Sequence, residues 1–137
     1  MYLVRLIYAS RAREGFGPTD VEQILGVARK TNAQKGITGM LCFNGYNFLQ
    51  SLEGSRTAVN ELYRHILEDK RHFDTTLLEY HEIIARDFDN WHMGYLGLTK
   101  ENQALLLRFS NNLEFDPFKM SGATAHAMLC ELSETLP

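Results

Sequence analysis

Tyr8 and Gln50 are polar side chains set where the chain should be most apolar. Tyr8 closes the run Tyr2-Leu3-Val4-Arg5-Leu6-Ile7-Tyr8, and Gln50 lies inside Phe48-Leu49-Gln50-Ser51-Leu52. A carboxamide in mid-strand between hydrophobic neighbours is expected to be at least partly buried. Without partners it would cost about 1–3 kcal/mol. A phenol hydroxyl donates and accepts, and a glutamine offers an acceptor at one end and two donors at the other. Such a pair can form a hydrogen-bond switch beside a bound ligand. Tyr8, and Asn32 in the helix that follows, also have plain readings, as a half-buried strand-end tyrosine and as a helix cap; Gln50 is harder to dismiss.

Other chemistries lack their residues. The five histidines (65, 72, 81, 92 and 126) show no metal-ligand spacing with cysteine or acid partners. No glycine-rich loop cradles a phosphate. No two carboxylates stand at strand ends as an acid–base pair, and Ser10 has no neighbouring histidine. Nothing reads as a hydrolase or transferase site. The net charge of −3 is mixed along the chain, with no basic block for nucleic acid. No segment approaches the ~18 apolar residues of a membrane span, and the N-terminus enters a strand without a signal-peptide layout. Cys42 and Cys130 fit neither a metal knuckle nor a disulfide framework, and read as buried thiols of a cytoplasmic protein.

The 137 residues, 45% hydrophobic, bound a single core. Residues 2–9 read as a strand. Thr19 caps a helix, with Glu22 three residues on. Val21, Ile24, Leu25, Ala28 and Asn32 form its inward stripe. Residues 37–43 and 46–53 read as strands joined by an Asn44-Gly45 hairpin turn. A helix over 56–68 carries Val59, Leu62, Tyr63, Ile66 and Leu67 on one face. The loop Asp69-Lys70-Arg71-His72 reads as a solvated turn or as a contact for a ligand's polar tail. Strands follow near 75–84 and 91–96, then helices over 100–112 and 122–136. The order β-α-β-β-α-β-β is α+β and ferredoxin-like, with an added strand. Two helices cover one face of the sheet and the C-terminal helices cover the other. Residues 1–97 form the main unit and 98–137 a helical extension.

Alternation places Tyr2, Val4, Leu6 and Tyr8 on one face, Phe48, Gln50 and Leu52 on one face, and Trp91, Met93 and Tyr95 on one face. If Tyr8 and Gln50 point at the two-helix layer, they meet Ile24, Ala28 and Asn32 there. The outcome is an apolar slot on which three neutral hydrogen-bonding side chains converge. It suits a flat heteroaromatic ligand with polar edges.

These residues resemble the BLUF family, blue-light sensors that use a flavin. The likeness covers residues 2–97. It is carried by Leu6-Ile7-Tyr8-Ala9-Ser10, Asn32, Gly36-Ile37-Thr38-Gly39-Met40-Leu41, Phe48-Leu49-Gln50-Ser51-Leu52-Glu53-Gly54, Asp69-Lys70-Arg71-His72 and Asn90-Trp91-His92-Met93. The tail looks like that of short stand-alone members. The resemblance implies FAD or FMN between the two helices. It implies Tyr8 as electron and proton donor, Gln50 as the side chain that rearranges, and Asn32 on a carbonyl edge of the ring. Ile24 and Ala28 would pack on the ring face. His65, Asp69, Arg71 and His72 would make polar contacts, and Trp91 and Met93 would exchange positions during relay. Family members often carry arginine at the His65 position, asparagine at Thr31 and serine at Ala28. The last departure removes a possible hydroxyl partner for Gln50.

The resemblance implies a non-enzymatic photoreceptor that signals to a downstream protein, with apolar tail helices hinting at a homo-oligomer. Three other readings are a ferredoxin-like small-molecule-binding regulatory module without photochemistry, a flavin enzyme and a pure assembly subunit.

Overall fold

Alternation along the first strand decides which layer each side chain joins. In the computed structural model, which describes residues 2–99, 102–110 and 114–137, Val4, Leu6 and Tyr8 enter one core cluster. Ile7, between them, enters another. The elements are β1 (Leu3–Ala12), α1 (Pro18–Lys35), β2 (Thr38–Phe43), β3 (Asn47–Ser55), α2 (Arg56–Glu68), β4 (His72–Ile83), β5 (Gly94–Gly97) and α3 (Gly122–Ser133), with short 3-10 turns at Gln103–Arg108 and Pro117–Lys119. The sheet order is β4-β1-β3-β2-β5. The first four strands pair antiparallel, and β5 adds parallel to β2. This is the ferredoxin-like α+β arrangement with one added strand.

Strands β1, β2 and β3 are buried on both faces, while the edge strand β4 stays partly exposed. Val21 and Leu25 of α1 and Val59 of α2 close the first cluster over β1 and β3. Ala125, Met128, Leu129 and Leu132 of α3 close the second over Ile7, Cys42 and Leu49. The apolar stripe of α3 is thus used within the chain. Among the described residues no helix is long and apolar enough to cross a membrane.

Several local readings shift. Helix α1 starts one residue before Thr19, because Pro18 suits the first helical position and Asp20 Oδ2 accepts from the Gly17 amide at 2.8 Å. Its end is set by Gly36 in the left-handed region, φ 68°. The hairpin centres on Gly45-Tyr46 rather than Asn44-Gly45. Asn44 Oδ1 accepts from the Tyr46 and Asn47 amides, and Gly45 takes φ 97°. His72 opens β4 instead of closing a loop.

The helix expected over 100–112 is only the 3-10 turn Gln103–Arg108 where it is described; residues 100, 101, 111 and 112 lie outside the described residues. Leu105, Leu106 and Leu107 are bunched rather than spaced by three or four, so Leu106 is buried while Leu107 faces solvent. Cys42 is fully buried, but Cys130 is only half-buried; both are free thiols.

The largest correction concerns residues 91–93. They do not belong to a strand, since β5 begins at Gly94. The Trp91 amide donates to the Phe88 carbonyl in a turn, and Gly39 N donates to Trp91 O. Strand alternation therefore fails there. Met93 and Tyr95 belong to the two-helix side, while Trp91 packs with the α3-side cluster. Gly94 leaves room for this, since a Cβ there would meet the Met40 side chain at 2.5 Å and Trp91 at 3.3 Å.

Candidate functional site

Tyr8 and Gln50 are register partners across β1 and β3. Equal parity puts both on the two-helix side, where both are buried. The Tyr8 hydroxyl donates to Gln50 Oε1, and Gln50 Nε2 donates to Met93 Sδ at 3.3 Å. The carboxamide is thus held at both ends. Burial pushes the Tyr8 phenol far above its ordinary range, helped by the neighbouring Tyr63 and Asp69.

A cavity of about 660 Å³ opens beside this pair, between α1, α2 and the sheet. Tyr8, Ile24, Ala28, Asn32, Gln50, His65, Asp69, Arg71 and His72 all border it. Trp91 and Met93 do not, although Met93 Sδ is the hydrogen-bond partner of Gln50 Nε2. Phe16, Val27, Leu41, Phe48 and Leu62 supply apolar wall that sequence reasoning did not assign to the site. Periodicity marked Leu62 and Phe48 as inward, but not that a space would remain between them. Phe16 lies between Gly15 and Gly17 in the β1–α1 loop, with no pattern to place it. It stands edge-on to Phe43 and Phe48.

Asn32 is 1% exposed in the last turns of α1. Its Nδ2 donates to His92 O at 2.7 Å, and its buried Oδ1 has no partner among the described residues. A buried acceptor at a cavity wall invites a ligand N–H.

At the mouth, Asp69 is chelated by Arg71, with Nη2 at 2.6 Å from Oδ2. That hydrogen bond holds the Asp69 carboxyl below its usual range and raises Arg71. His72 Nε2 donates to Ile66 O at 2.6 Å, which leaves Nδ1, 2.8 Å from Ser10 Oγ, to accept the serine hydroxyl. Ser10 therefore has a histidine in space, although none in sequence. Its hydroxyl is buried away from the cavity lining and orients His72 instead of attacking anything.

The segment that carries Met93 is tied to both sides of this site. Arg29 Nε donates to Met93 O at 3.0 Å, and His92 Nδ1 donates to Ile37 O at 3.0 Å. Farther along, the buried Glu53 carboxylate accepts from Thr38 Oγ1 and the Asp87 and Phe88 amides.

An apolar cavity, a phenol–carboxamide pair and an unpartnered acceptor suit a flat heteroaromatic ligand with polar edges. The family model "BLUF: Sensors of blue-light using FAD" matches residues 3–94. The chain belongs to the BLUF family. It is a blue-light sensor domain whose cofactor is a flavin, FAD in the family's own description.

This BLUF chain is similar to the "Blue light- and temperature-regulated antirepressor BluF" of Escherichia coli (strain K12), 37% identical over 86 residues. That match covers 63% of this chain and 21% of the relative, so the chain spans about a fifth of the relative's length. It is similar over nearly its whole length to two solved structures. "BlrB - a BLUF protein, dark state structure" is 35% identical with TM-score 0.81, covering 96% of this chain and 94% of that one. "BlsA photo-activated state" is 31% identical with TM-score 0.86, covering 95% and 94%.

Proposed function

We propose that this BLUF domain is a photoreceptor in which Tyr8 and Gln50 are the photoactive pair and residues 84–93 carry the change to a downstream protein. One observation carries the reading: the Gln50 carboxamide bridges Tyr8 Oη on one side and Met93 Sδ on the other.

The residues present fit a flavin. The cavity volume lies within the ordinary range for cofactor sites, its wall is mostly apolar, and Asn32 Oδ1 is a buried acceptor in want of a donor. That acceptor suits the ring N–H; a carbonyl edge would draw on the second hydrogen of Nδ2. Ile24 and Ala28 would face the ring, while His65, Asp69, Arg71 and His72 would meet its polar edge and chain. FMN would use the same ring contacts.

Bound flavin supplies the light absorption and, once excited, a strong one-electron oxidant. Tyr8 is the group placed to give up an electron and a proton. Its electron would go to the excited flavin and its proton would leave along the bond to Gln50 Oε1 and on to the flavin; with Oη no longer a donor, the carboxamide is free to rotate or tautomerise. Rotation turns Nε2 toward Tyr8 and Oε1 toward Met93 Sδ. The electron and proton then return to Tyr8, with no net redox change. Two acceptors now face each other at Met93, so its packing is the next to yield. The absorption shifts to longer wavelength because a donor now stands on the cavity side.

Met93 is 1% exposed, and its carbonyl is bonded to Arg29. Its displacement changes how residues 84–93 meet α1 and the sheet, a shift between two packings. Trp91 starts on the α3 side, so an exchange of Trp91 with Met93 would carry the signal across the sheet. The occupant of that output surface is a partner protein, and the chain itself performs no turnover in this reading.

The test is an absorption spectrum of purified protein in the dark and after blue light. The expected result is a yellow protein with a reversible shift to longer wavelength. A colourless protein, or a flavin spectrum unchanged by light, overturns the proposal and favours a regulatory module without photochemistry.

A further inference from the structure

On the sheet face opposite the cavity, three side chains bring one ligand atom each to a common point. His126 and Cys130 stand four residues apart on α3, so they leave the helix on the same side. Asp87 comes from the connection between β4 and β5. His126 Nε2 lies 2.8 Å from Asp87 Oδ2 and 3.5 Å from Cys130 Sγ. All three atoms lie within 4.8 Å of one another.

Two chemistries use such a trio. A nucleophile–base–acid relay needs the thiol and the carboxylate on opposite nitrogens of the imidazole. Here both meet Nε2, and Nδ1 is buried with no partner among the described residues. Convergence on one point is the arrangement of ligands around an ion. Bonds of about 2.3 Å to sulfur and about 2.0 Å to nitrogen, at the tetrahedral angle, separate the two atoms by about 3.5 Å. That is the separation found. The same geometry sets oxygen and nitrogen about 3.3 Å apart. Asp87 stands closer than that, but its side chain is 49% exposed and free to swing outward.

Arg5 also reaches this group. Its Nη1 is 3.5 Å from Asp87 Oδ2, while its Nε holds Glu79 at 2.8 Å and its Nη2 lies 2.8 Å from His81 Nε2. Glu79 is the nearer carboxylate, so Asp87 can turn to a cation without stranding the guanidinium.

We propose that Asp87, His126 and Cys130 form a binding site for a zinc-class divalent cation, clasping α3 to the β4–β5 connection. A thiolate, an imidazole and a carboxylate make a borderline-soft set that favours Zn(II) over magnesium or calcium, with water as the fourth ligand. Cys130 releases its thiol proton to solvent on binding. The connection so clasped also holds Phe88, Trp91 and Met93, so the cation stiffens the path between the light-sensing cavity and α3. Binding itself draws nothing from the light reaction and takes place in the dark.

The full chain with its flavin, kept dark, is titrated with zinc by calorimetry against a competing chelator. One zinc per chain is expected, and His126→Gln, Cys130→Ser and Asp87→Asn each weaken binding by at least about tenfold. X-ray absorption of the zinc-loaded wild type should show one sulfur at about 2.3 Å and nitrogen or oxygen at about 2.0 Å. The proposal is overturned by no saturable binding, by a shell without sulfur, or by unchanged affinity in both His126→Gln and Cys130→Ser. If those variants fail to fold, the wild-type absorption measurement decides alone.

Discussion

Tyr8 and Gln50 face each other directly across the β1–β3 ladder, and the phenol donates to the carboxamide oxygen on the cavity side of the sheet. The relationship is enforced by register. A slip of one residue would send Gln50 to the α3 side, where Leu49 and Ser51 now point.

Tyr8→Phe removes the hydroxyl and keeps the ring. Flavin should remain bound, and the light-induced shift should be absent from the lit-minus-dark difference spectrum. A normal photocycle in this variant would remove Tyr8 from its assigned role.

Gln50→Leu should likewise bind flavin and lose the shift. It strands the Tyr8 hydroxyl, just as Tyr8→Phe strands Gln50 Oε1, so each single change should destabilise by about 1–3 kcal/mol. The double variant leaves neither group stranded and should lose less than the sum of the two, with a coupling of about 0.5–3 kcal/mol by denaturant unfolding. Additive losses would mean that the bond contributes nothing.

Met93 separates volume from chemistry. Met93→Ala opens a buried cavity and should cost about 2–5 kcal/mol. Met93→Leu nearly conserves volume and should cost less than about 1.5 kcal/mol. Both leave Gln50 Nε2 without its sulfur acceptor, which weakens the dark orientation by about 1 kcal/mol. Dark recovery should therefore slow severalfold in Met93→Leu, as followed by absorption. Unchanged recovery would disconnect Met93 from Gln50.

Glu53→Gln tests the staple of the β4–β5 connection. Glu53 Oε2 accepts the Asp87 amide, and Oε1 accepts the Thr38 hydroxyl and the Phe88 amide. A carboxamide presents an NH₂ to one of these donors, leaving a buried mismatch of about 1–3 kcal/mol. Hydrogen exchange should quicken in residues 84–93 more than in α2.

Alkaline pH probes the Tyr8 burial. Its folded-state pKa is raised above the ordinary value of 10.0. The native phenol therefore stays protonated where the unfolded one ionises. The stabilising contribution is whole below pH 10 and declines as pH rises above it. Between pH 10 and 11 the wild type should lose about 1 kcal/mol more than Tyr8→Phe, because the unfolded phenol passes from half to almost fully ionised while the native one keeps its proton. Equal losses in the two proteins would show that Tyr8 ionises as a free phenol.

Strand alternation and helical spacing made much of this molecule legible. They give two packed layers around one sheet, Tyr8 and Gln50 on the same face, and Ile24, Ala28 and Asn32 turned toward them. Those features follow from local geometry, which repeats every two or 3.6 residues and is written in the residue pattern. Residues 84–93 obey no such period. Their course is set by contacts from distant positions: Glu53 on the Asp87 and Phe88 amides, Asn32 and Arg29 on the His92 and Met93 carbonyls. Only the tertiary structure, therefore, put Met93 against Gln50, sent Trp91 to the other face, and brought Asp87 to His126 and Cys130. Hydrogen bonds between residues more than thirty positions apart decide those places, and no local pattern encodes their partners.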